Sequence, residues 1–272
     1  MVRRIEPGRP GYPVGLADLE EPPAIWVLGE LRPEPGVAVV GTRRCTRYGV
    51  GMADAFGRAI ASAGWTVVSG LARGIDATAH WGCVDAGGHA VAVLGSGVDV
   101  VYPAENRSLY ERILKAGGAV VSEYEPGTPP DRWRFPARNR IIAAMSAAVV
   151  VVEANETGGA LITARLGAEI GRPVFVVPGD VDRPASAGCN RLIKDGAHPV
   201  LGPDDLIAEL EVVLGPPPRR PVTTDPGIPP TGADLDDLAE LWGIPPAEAL
   251  IRVGRMELAG MVRREGTVIY PA

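Results

Sequence analysis

VAVVGTRRCTRYGVGMADAFGRAIASAGWTVVSGLARGID, residues 37–76, reads as strand, turn, helix, strand, turn. Val37–Val40 is a short apolar run without polar alternation, the pattern of a strand covered on both faces. A glycine-led turn follows at Gly41-Thr42-Arg43-Arg44, then a helix-length segment, Gly49–Ala63. The next run, Thr66–Ser69, opens into Gly70-Leu71-Ala72-Arg73-Gly74-Ile75-Asp76. The same unit recurs along the chain. Apolar runs at Ala90–Leu94, Ala119–Ser122, Ala147–Val152 and Val174–Val177 alternate with helix-length segments at Asp76–Ala86, Asn106–Ala116, Arg138–Ser146 and Ala160–Glu169. Ile25–Leu28 reads as an added edge strand. Such alternation predicts an α/β fold, a Rossmann-like doubly wound and mostly parallel sheet.

The alternation stops at Gly215–Gly232, where seven of 18 residues are Pro. A segment so rich in Pro supports neither helix nor central strand and reads as an extended linker. Beyond it, Leu235, Leu238, Leu241 and Trp242 mark one helical face, and Ala247–Ala259 marks a second helix with Ala249, Leu250, Val253, Met256 and Leu258 apolar. Met261–Tyr270 reads as a hairpin turning at Glu265-Gly266. Helix, helix, hairpin is the order of a small C-terminal winged-helix domain. The expected organisation is therefore an N-terminal extension over 1–35 packing on the body, a Rossmann-like body over 36–214, a linker over 215–232 and a winged helix over 233–272.

Composition narrows the functional classes. The chain has 272 residues and a net charge of -6, but the acidic excess lies entirely in the C-terminal quarter. From Asp204 onward there are 12 acids against 6 Arg, leaving 21 of each sign before it. A neutral body can still carry a basic groove. Winged helices often meet duplex DNA through a basic helix. Here Asp234, Asp236, Asp237 and Glu240 precede a second helix in which Glu248 and Glu257 offset Arg252 and Arg255, which favours a protein-interaction or dimerisation role. Three distant cysteines (Cys45, Cys83, Cys189) fit a reducing, cytoplasmic setting rather than a disulfide framework. The longest apolar stretch, Ile141–Val152, is too short to span a bilayer, which needs about 20 residues. No signal peptide is visible, since Arg3 and Arg4 lead into Glu6-Pro7-Gly8.

In a parallel sheet the ligand crevice lies beyond the carboxyl ends of the strands. Here those ends carry Gly41-Thr42-Arg43, Gly70 to Gly74, Gly95-Ser96-Gly97, Thr157-Gly158-Gly159 and Pro178-Gly179. Glycine turns at helix N-termini let backbone N–H groups converge on an anion. One such turn is ordinary; five in one sheet, with Arg beside them, point to a phosphate-binding crevice. It does not look like a nicotinamide or nucleotide-triphosphate site, because G-x-G-x-x-G is missing after the first body strand and no Walker sequence occurs. G-x-S-x-G is absent as well. Asp76 and His80, four residues apart, read as a helix cap and a packed imidazole rather than metal ligands. No cofactor is expected.

The most informative segment is Asp131-Arg-Trp-Arg-Phe-Pro-Ala-Arg-Asn-Arg140, four Arg interleaved with Trp133 and Phe135 in a loop entering a helix. Arg neutralises phosphates while aromatic faces stack bases, each stacked base being worth roughly 1–3 kcal/mol regardless of sequence.

These motifs together resemble the DNA-processing protein A (DprA, or Smf) family. The resemblance is carried by Gly41-Thr-Arg43, Ser69-Gly-Leu-Ala-Arg-Gly-Ile-Asp76 with Ala79-His80, Val93-Leu-Gly-Ser-Gly97 with Tyr102-Pro103, Ser122-Glu-Tyr124, Phe135-Pro-Ala-Arg-Asn-Arg-Ile-Ile142, Val152-Glu-Ala154, Leu161-Ile-Thr-Ala164, Val177-Pro-Gly179 and Leu192-Ile-Lys-Asp-Gly-Ala197. It runs from Tyr12-Pro13 to Leu214, and the winged-helix tail also fits. Two departures stand out: the family often carries a helical N-terminal domain before the Tyr-Pro motif, where only residues 1–11 stand here, and the usual Ser-Gly-Ser before Leu-Ile-Thr-Ala is Thr157-Gly158-Gly159-Ala160.

The resemblance implies a non-enzymatic, cytoplasmic protein of natural transformation. Such a protein binds incoming single-stranded DNA, protects it, loads the recombinase RecA onto it, and works as a homodimer away from the membrane. Carried over residue by residue, the DNA-binding arginine is Arg43, the basic residue before the motif Phe is Arg132, and the base-contacting aromatic is Phe135. Asn139 and Arg140 belong to the same motif. Gly41, Thr42, Arg73, Gly74, Gly97, Arg138 and Gly158 complete the expected DNA-binding set. The apolar segment after the last strand, with Leu192, Ile193, Val200 and Leu201, is the expected dimer interface. The competing reading is a Rossmann-like phosphoribohydrolase, which would need a Pro-Gly-Gly-x-Gly-Thr-x-x-Glu loop. Glu156-Thr-Gly-Gly-Ala-Leu-Ile-Thr163 lacks its Pro and its Glu.

Overall fold

The computed structural model describes residues 1–216, 228–229, 231–258 and 262–271. The chain divides into two compact units, Met1–Pro217 and Pro218–Ala272. Most of the Pro-rich segment, 217–227 and 230, lies outside the described residues.

The first unit is built on one nine-stranded sheet. Its strands are β1 (Val2–Ile5), β2 (Ile25–Gly29), β3 (Gly36–Val40), β4 (Val67–Ser69), β5 (Ala90–Val93), β6 (Ala119–Ser122), β7 (Ser146–Val151), β8 (Val174–Val176) and β9 (His198–Pro199). The helices between them are α1 (Arg47–Ser62), α2 (Ile75–Asp85), α3 (Arg107–Lys115), α4 (Arg134–Ala144), α5 (Gly159–Glu169), α6 (Pro184–Lys194) and α7 (Pro203–Leu214). Across the sheet the order is β1-β2-β6-β5-β4-β3-β7-β8-β9. Every pair from β6 to β9 is parallel, while β1 and β2 are antiparallel additions at one edge.

The unalternating strands are apolar because both faces are covered. Val37 and Val39 of β3 enter a core with Phe56 and Ile60 of α1. Ala38 and Val40 enter the opposite core with Ile141 and Ile142 of α4. β7 splits in the same way, Ala148 and Val150 to one side and Val149 and Val151 to the other. On the first side α1 and α2 approach until only glycine fits between them. A Cβ on Gly57 would lie 2.2 Å from the Ala79 carbonyl oxygen, and one on Gly82 would lie 2.4 Å from that of Asp54.

The doubly wound, mostly parallel sheet is thus as the sequence predicts, with four differences. The N-terminal segment joins the sheet itself, and β2 is internal because β1 pairs outside it. α4 begins four residues earlier than expected, at Arg134, since Pro136 falls in its first turn where no N–H is needed. Ser146 opens β7 instead of closing the helix. Helices α6 and α7 follow β8, although periodicity had not singled them out. Among the described residues no helix is long and apolar enough to cross a membrane.

The second unit holds α8 (Leu235–Trp242), α9 (Pro246–Leu258) and an antiparallel hairpin, β10 (Val262–Glu265) with β11 (Val268–Pro271). Asp234 caps α8 by accepting from the Asp237 N–H at 2.9 Å, and Gly243 ends it in the left-handed conformation at φ 64°. Leu238, Val253, Met256, Val262 and Ile269 form its small core. Leu241 and Leu250, expected on the apolar faces, are exposed instead, and Ile251 with them.

Candidate nucleic-acid interface

The sheet reverses its winding between β3 and β7. The chain leaves β3 for α1 on one face and leaves β7 for α5 on the other, so their carboxyl ends diverge and open a crevice. A cavity of about 590 Å³ lies there, lined among others by Thr42, Arg43, Arg44, Arg132, Phe135, Asn155 and Gly158.

The turn after β3 is shaped by one residue just beyond the neighbouring strand. The Glu153 main-chain carbonyl accepts from the Thr42 N–H at 2.7 Å. Its carboxylate accepts from the Thr46 N–H at 2.8 Å and the Thr46 hydroxyl at 2.7 Å. Both ends of the 42–46 turn are therefore fixed to the segment just after β7, and Thr46 caps α1 through the Gly49 N–H. The turn also packs on the next loop. Gly74 adopts φ 76°, and a Cβ there would lie 2.4 Å from the Thr42 carbonyl oxygen, so glycine is required on both counts.

Held this way, the exposed Arg43 places its guanidinium 5.3 Å from the centre of the Phe135 ring. Tyr102 stacks on Phe135 at 5.2 Å between centroids, the rings inclined by 27°. Arg44 and the exposed Arg132 complete the cationic rim. The start of α5 adds the backbone N–H of Gly159, where the helix dipole favours an anion, while the Gly158 N–H is donated to the Asn155 carbonyl at 3.0 Å.

The floor is different. Arg138 is only 4% exposed and donates to the carbonyl oxygens of Gly70, at 2.8 Å, and Val93. Burial lowers its pKa to about 10, against the raising effect of the Asp76 charge. Asp76 accepts from the Gly70 N–H at 3.0 Å, and burial pushes its carboxyl up while Arg138 opposes the shift. His80, behind this pair, is fully buried and its pKa falls to about 4 for the same reason. Asn139 is buried and donates to the Gly159 carbonyl at 3.3 Å, tying α4 to the start of α5.

Of the expected DNA-binding residues, Gly41, Thr42, Arg43, Arg132, Phe135, Arg138, Asn139 and Gly158 line the cavity. Arg73 lines the adjoining cleft and is paired with Glu105. Gly74, Gly97 and Arg140 lie outside the lining of both. Gly97 packs beneath the loop after β6, where a Cβ would meet the Glu125 carbonyl oxygen at 2.6 Å. Arg140 donates to the Glu123 carboxylate at 2.6 Å. Of the expected dimer residues, Val200 is fully buried in the core and is not available to a partner. Leu192 and Ile193 are half-buried against the opposite core, and Leu201 is 80% exposed. Arg44, Tyr102 and Asn155 line the cavity without having been singled out. Only the Tyr102-Pro103 motif carried a signal for one of them.

The family model for DNA recombination-mediator protein A matches residues 3–211. The chain belongs to that family. It is 43% identical over 216 residues to Protein Smf of Synechocystis, a match covering 77% of this chain and 54% of that protein. The chain thus spans about half the length of that relative. DNA processing protein A of Streptococcus pneumoniae superposes with a TM-score of 0.71 at 38% identity, over 76% of this chain and 74% of the other. DNA processing protein A of Helicobacter pylori, a structure that addresses its single-stranded DNA binding mode, superposes with a TM-score of 0.69 at 28% identity, over 77% and 95%.

Proposed function

We propose that this chain binds single-stranded DNA along the cationic rim of the switch-point crevice, without sequence preference and without catalysing a reaction on it. The observation that carries the proposal is the Arg43–Phe135–Tyr102 assembly at the mouth of the cavity, a guanidinium and two rings brought together by the loops after β3 and β5 and the first turn of α4. Such a set neutralises phosphate and stacks bases at once, with no hydrogen-bond readout of base edges. The single-stranded DNA binding mode of the H. pylori relative supports the same reading. Among the described residues the one carboxylate lining the cavity is Asp76. It is engaged with the Gly70 N–H and faces Arg138, which favours binding over the acid–base chemistry of a phosphoribohydrolase.

Affinity for a single strand is expected to exceed that for duplex and to fall steeply with salt. Arg43→Ala removes about one phosphate contact, which flattens the slope of log K against log salt by about 0.7. Phe135→Ala weakens binding by about 1–3 kcal/mol and leaves the slope, since stacking releases no counterions. Gel shifts across a salt series check all three. Equal affinity for duplex and single strand overturns the proposal.

Loading of the recombinase RecA by a homodimer extends the proposal. Leu201, exposed beside the edge strand β9, is the residue on which self-association is tested. A two-fold interface is struck twice by one substitution. Leu201→Glu is expected to yield a folded monomer by light scattering that binds single strands but no longer promotes RecA loading. A variant that stays dimeric removes this patch from the interface.

A further inference from the structure

Trp133 sits immediately before α4, outside the cavity lining, and is 59% exposed. A tryptophan that open to solvent is uncommon, and this one is not loose. Its indole N–H donates to the Asp131 carboxylate at 2.9 Å. Tyr124, in the loop after β6, meets it edge to face at 6.1 Å and 89°. The Arg134 guanidinium lies 5.2 Å from the Trp133 ring and 4.8 Å from the Tyr124 ring, and is itself anchored on the Pro129 carbonyl. Three contacts fix the plane of a large aromatic surface that is left facing water. A ring fixed in advance loses little conformational freedom when a planar group stacks on it.

We propose that Trp133 is a second stacking position for the same single strand, separate from the Arg43–Phe135–Tyr102 site. The inference rests on the reading of the chain as a single-strand binder. Placement supports it. Arg43 leaves β3, Phe135 packs over Gly95 after β5 with a ring atom 3.1 Å from where a Gly95 Cβ would be, and Tyr124 leaves β6. With β6 and β5 adjacent in the sheet, the Trp133 and Phe135 positions stand at neighbouring strand ends, one strand spacing of about 5 Å apart. At a stacked rise of about 3.4 Å per nucleotide, that is about one to two nucleotides. Arg132, next in sequence to Trp133, lines the cavity and is exposed to take a phosphate. Both rings have an Arg and a Tyr against them, but Phe135 is half-buried whereas Trp133 is exposed. Trp133 is uncharged and its replacement by Leu removes no cation, so its contribution is stacking and does not depend on salt.

The test uses the full chain and the oligothymidylate (dT)12, by competition against a labelled (dT)12. Trp133→Leu is expected to lose about 5- to 150-fold, the range for one stacked base. Trp133→Phe is expected to restore most of the affinity, and the salt slope stays unchanged in both variants. Quenching of tryptophan fluorescence by (dT)12 should be lost in Trp133→Leu. Wild-type affinity of Trp133→Leu, no recovery in Trp133→Phe, or a changed salt slope overturns the inference while single-strand binding stands. A parent chain that does not bind (dT)12 overturns the functional reading and the inference with it.

Discussion

Arg138 and Arg43 line the same cavity and occupy opposite environments. Arg138, on the floor, is 4% exposed, holds two backbone carbonyls and faces the buried Asp76. Arg43, at the rim, is exposed, and its charge lies against a ring instead of a carboxylate. Both belong to Arg-rich motifs that look alike in the sequence. What separates them is burial. A buried guanidinium deprived of its partners leaves uncompensated polar groups in the core, whereas an exposed one is rehydrated. Floor substitutions should therefore be read in stability and rim substitutions in affinity.

The floor gives the largest expected effect. Arg138→Met leaves the Gly70 and Val93 carbonyls without their donor and removes the cation whose charge acts on Asp76. Each buried acceptor left unsatisfied costs about 1–3 kcal/mol. Urea unfolding followed by circular dichroism should show it, and the double variant Arg138→Met/Asp76→Asn should lose less than the two single changes combined. A variant that keeps its midpoint and loses only DNA affinity would place Arg138 with the rim and break the division.

Acid should act next, through two buried histidines, one behind the floor and one at the opposite end of the sheet. His80 and His89 are both held neutral by burial, with pKa values of about 4. His89 lies between the Thr66 hydroxyl at 3.1 Å and the Glu30 carbonyl at 2.8 Å. The unfolded chain takes up protons at these groups near pH 6.5, so their contribution to stability is complete above that value and is lost as pH falls toward 4. Between pH 7 and 5 each histidine accounts for about 2 kcal/mol of lost unfolding free energy. His89→Gln should remove about half of the drop. A pH dependence identical in the variant would mean that other groups carry the acid sensitivity.

The alternation of buried strands and helices was legible because a strand covered on both faces must be apolar throughout, as in β3 and β7. β1 was not legible. Its sequence, VRRI, leaves both arginines exposed at a sheet edge, and antiparallel pairing with β2 is all that makes it a strand. α6 was hidden by small residues, since the ones it buries are Ser186, Gly188 and Cys189. In the crevice, residue types and their strand ends were readable, but the burial of each arginine was not. The atoms that take up Arg138 come from Gly70 and Val93, far away in the chain. The role of Glu153 escaped for the same reason, since its partner Thr46 is 107 residues away.

The smallest effect is expected from the region that fold analogy alone would rank first. Over 233–272 there are seven acids against four Arg. Asp236, Asp237 and Glu240 are exposed on α8. Of the arginines whose side chains are described, Arg252 lies 4.2 Å from the Trp242 ring centre, Arg263 pairs with Glu265, and Arg264 donates to Glu257 at 2.9 Å. Two of the three are paired with acids and the third lies on a ring, and α9 exposes Leu250 and Ile251 where a duplex-reading helix would present charge. A chain ending at Leu214 retains every cavity-lining residue, the whole nine-stranded sheet and both of its cores. Its single-strand affinity is expected within about threefold of the parent, with an unchanged salt slope, because no phosphate contact has been removed. A loss beyond tenfold, about 1.4 kcal/mol, or a flatter slope would mean that the C-terminal unit touches the strand, and the contrast between floor and rim would then describe only part of the binding surface.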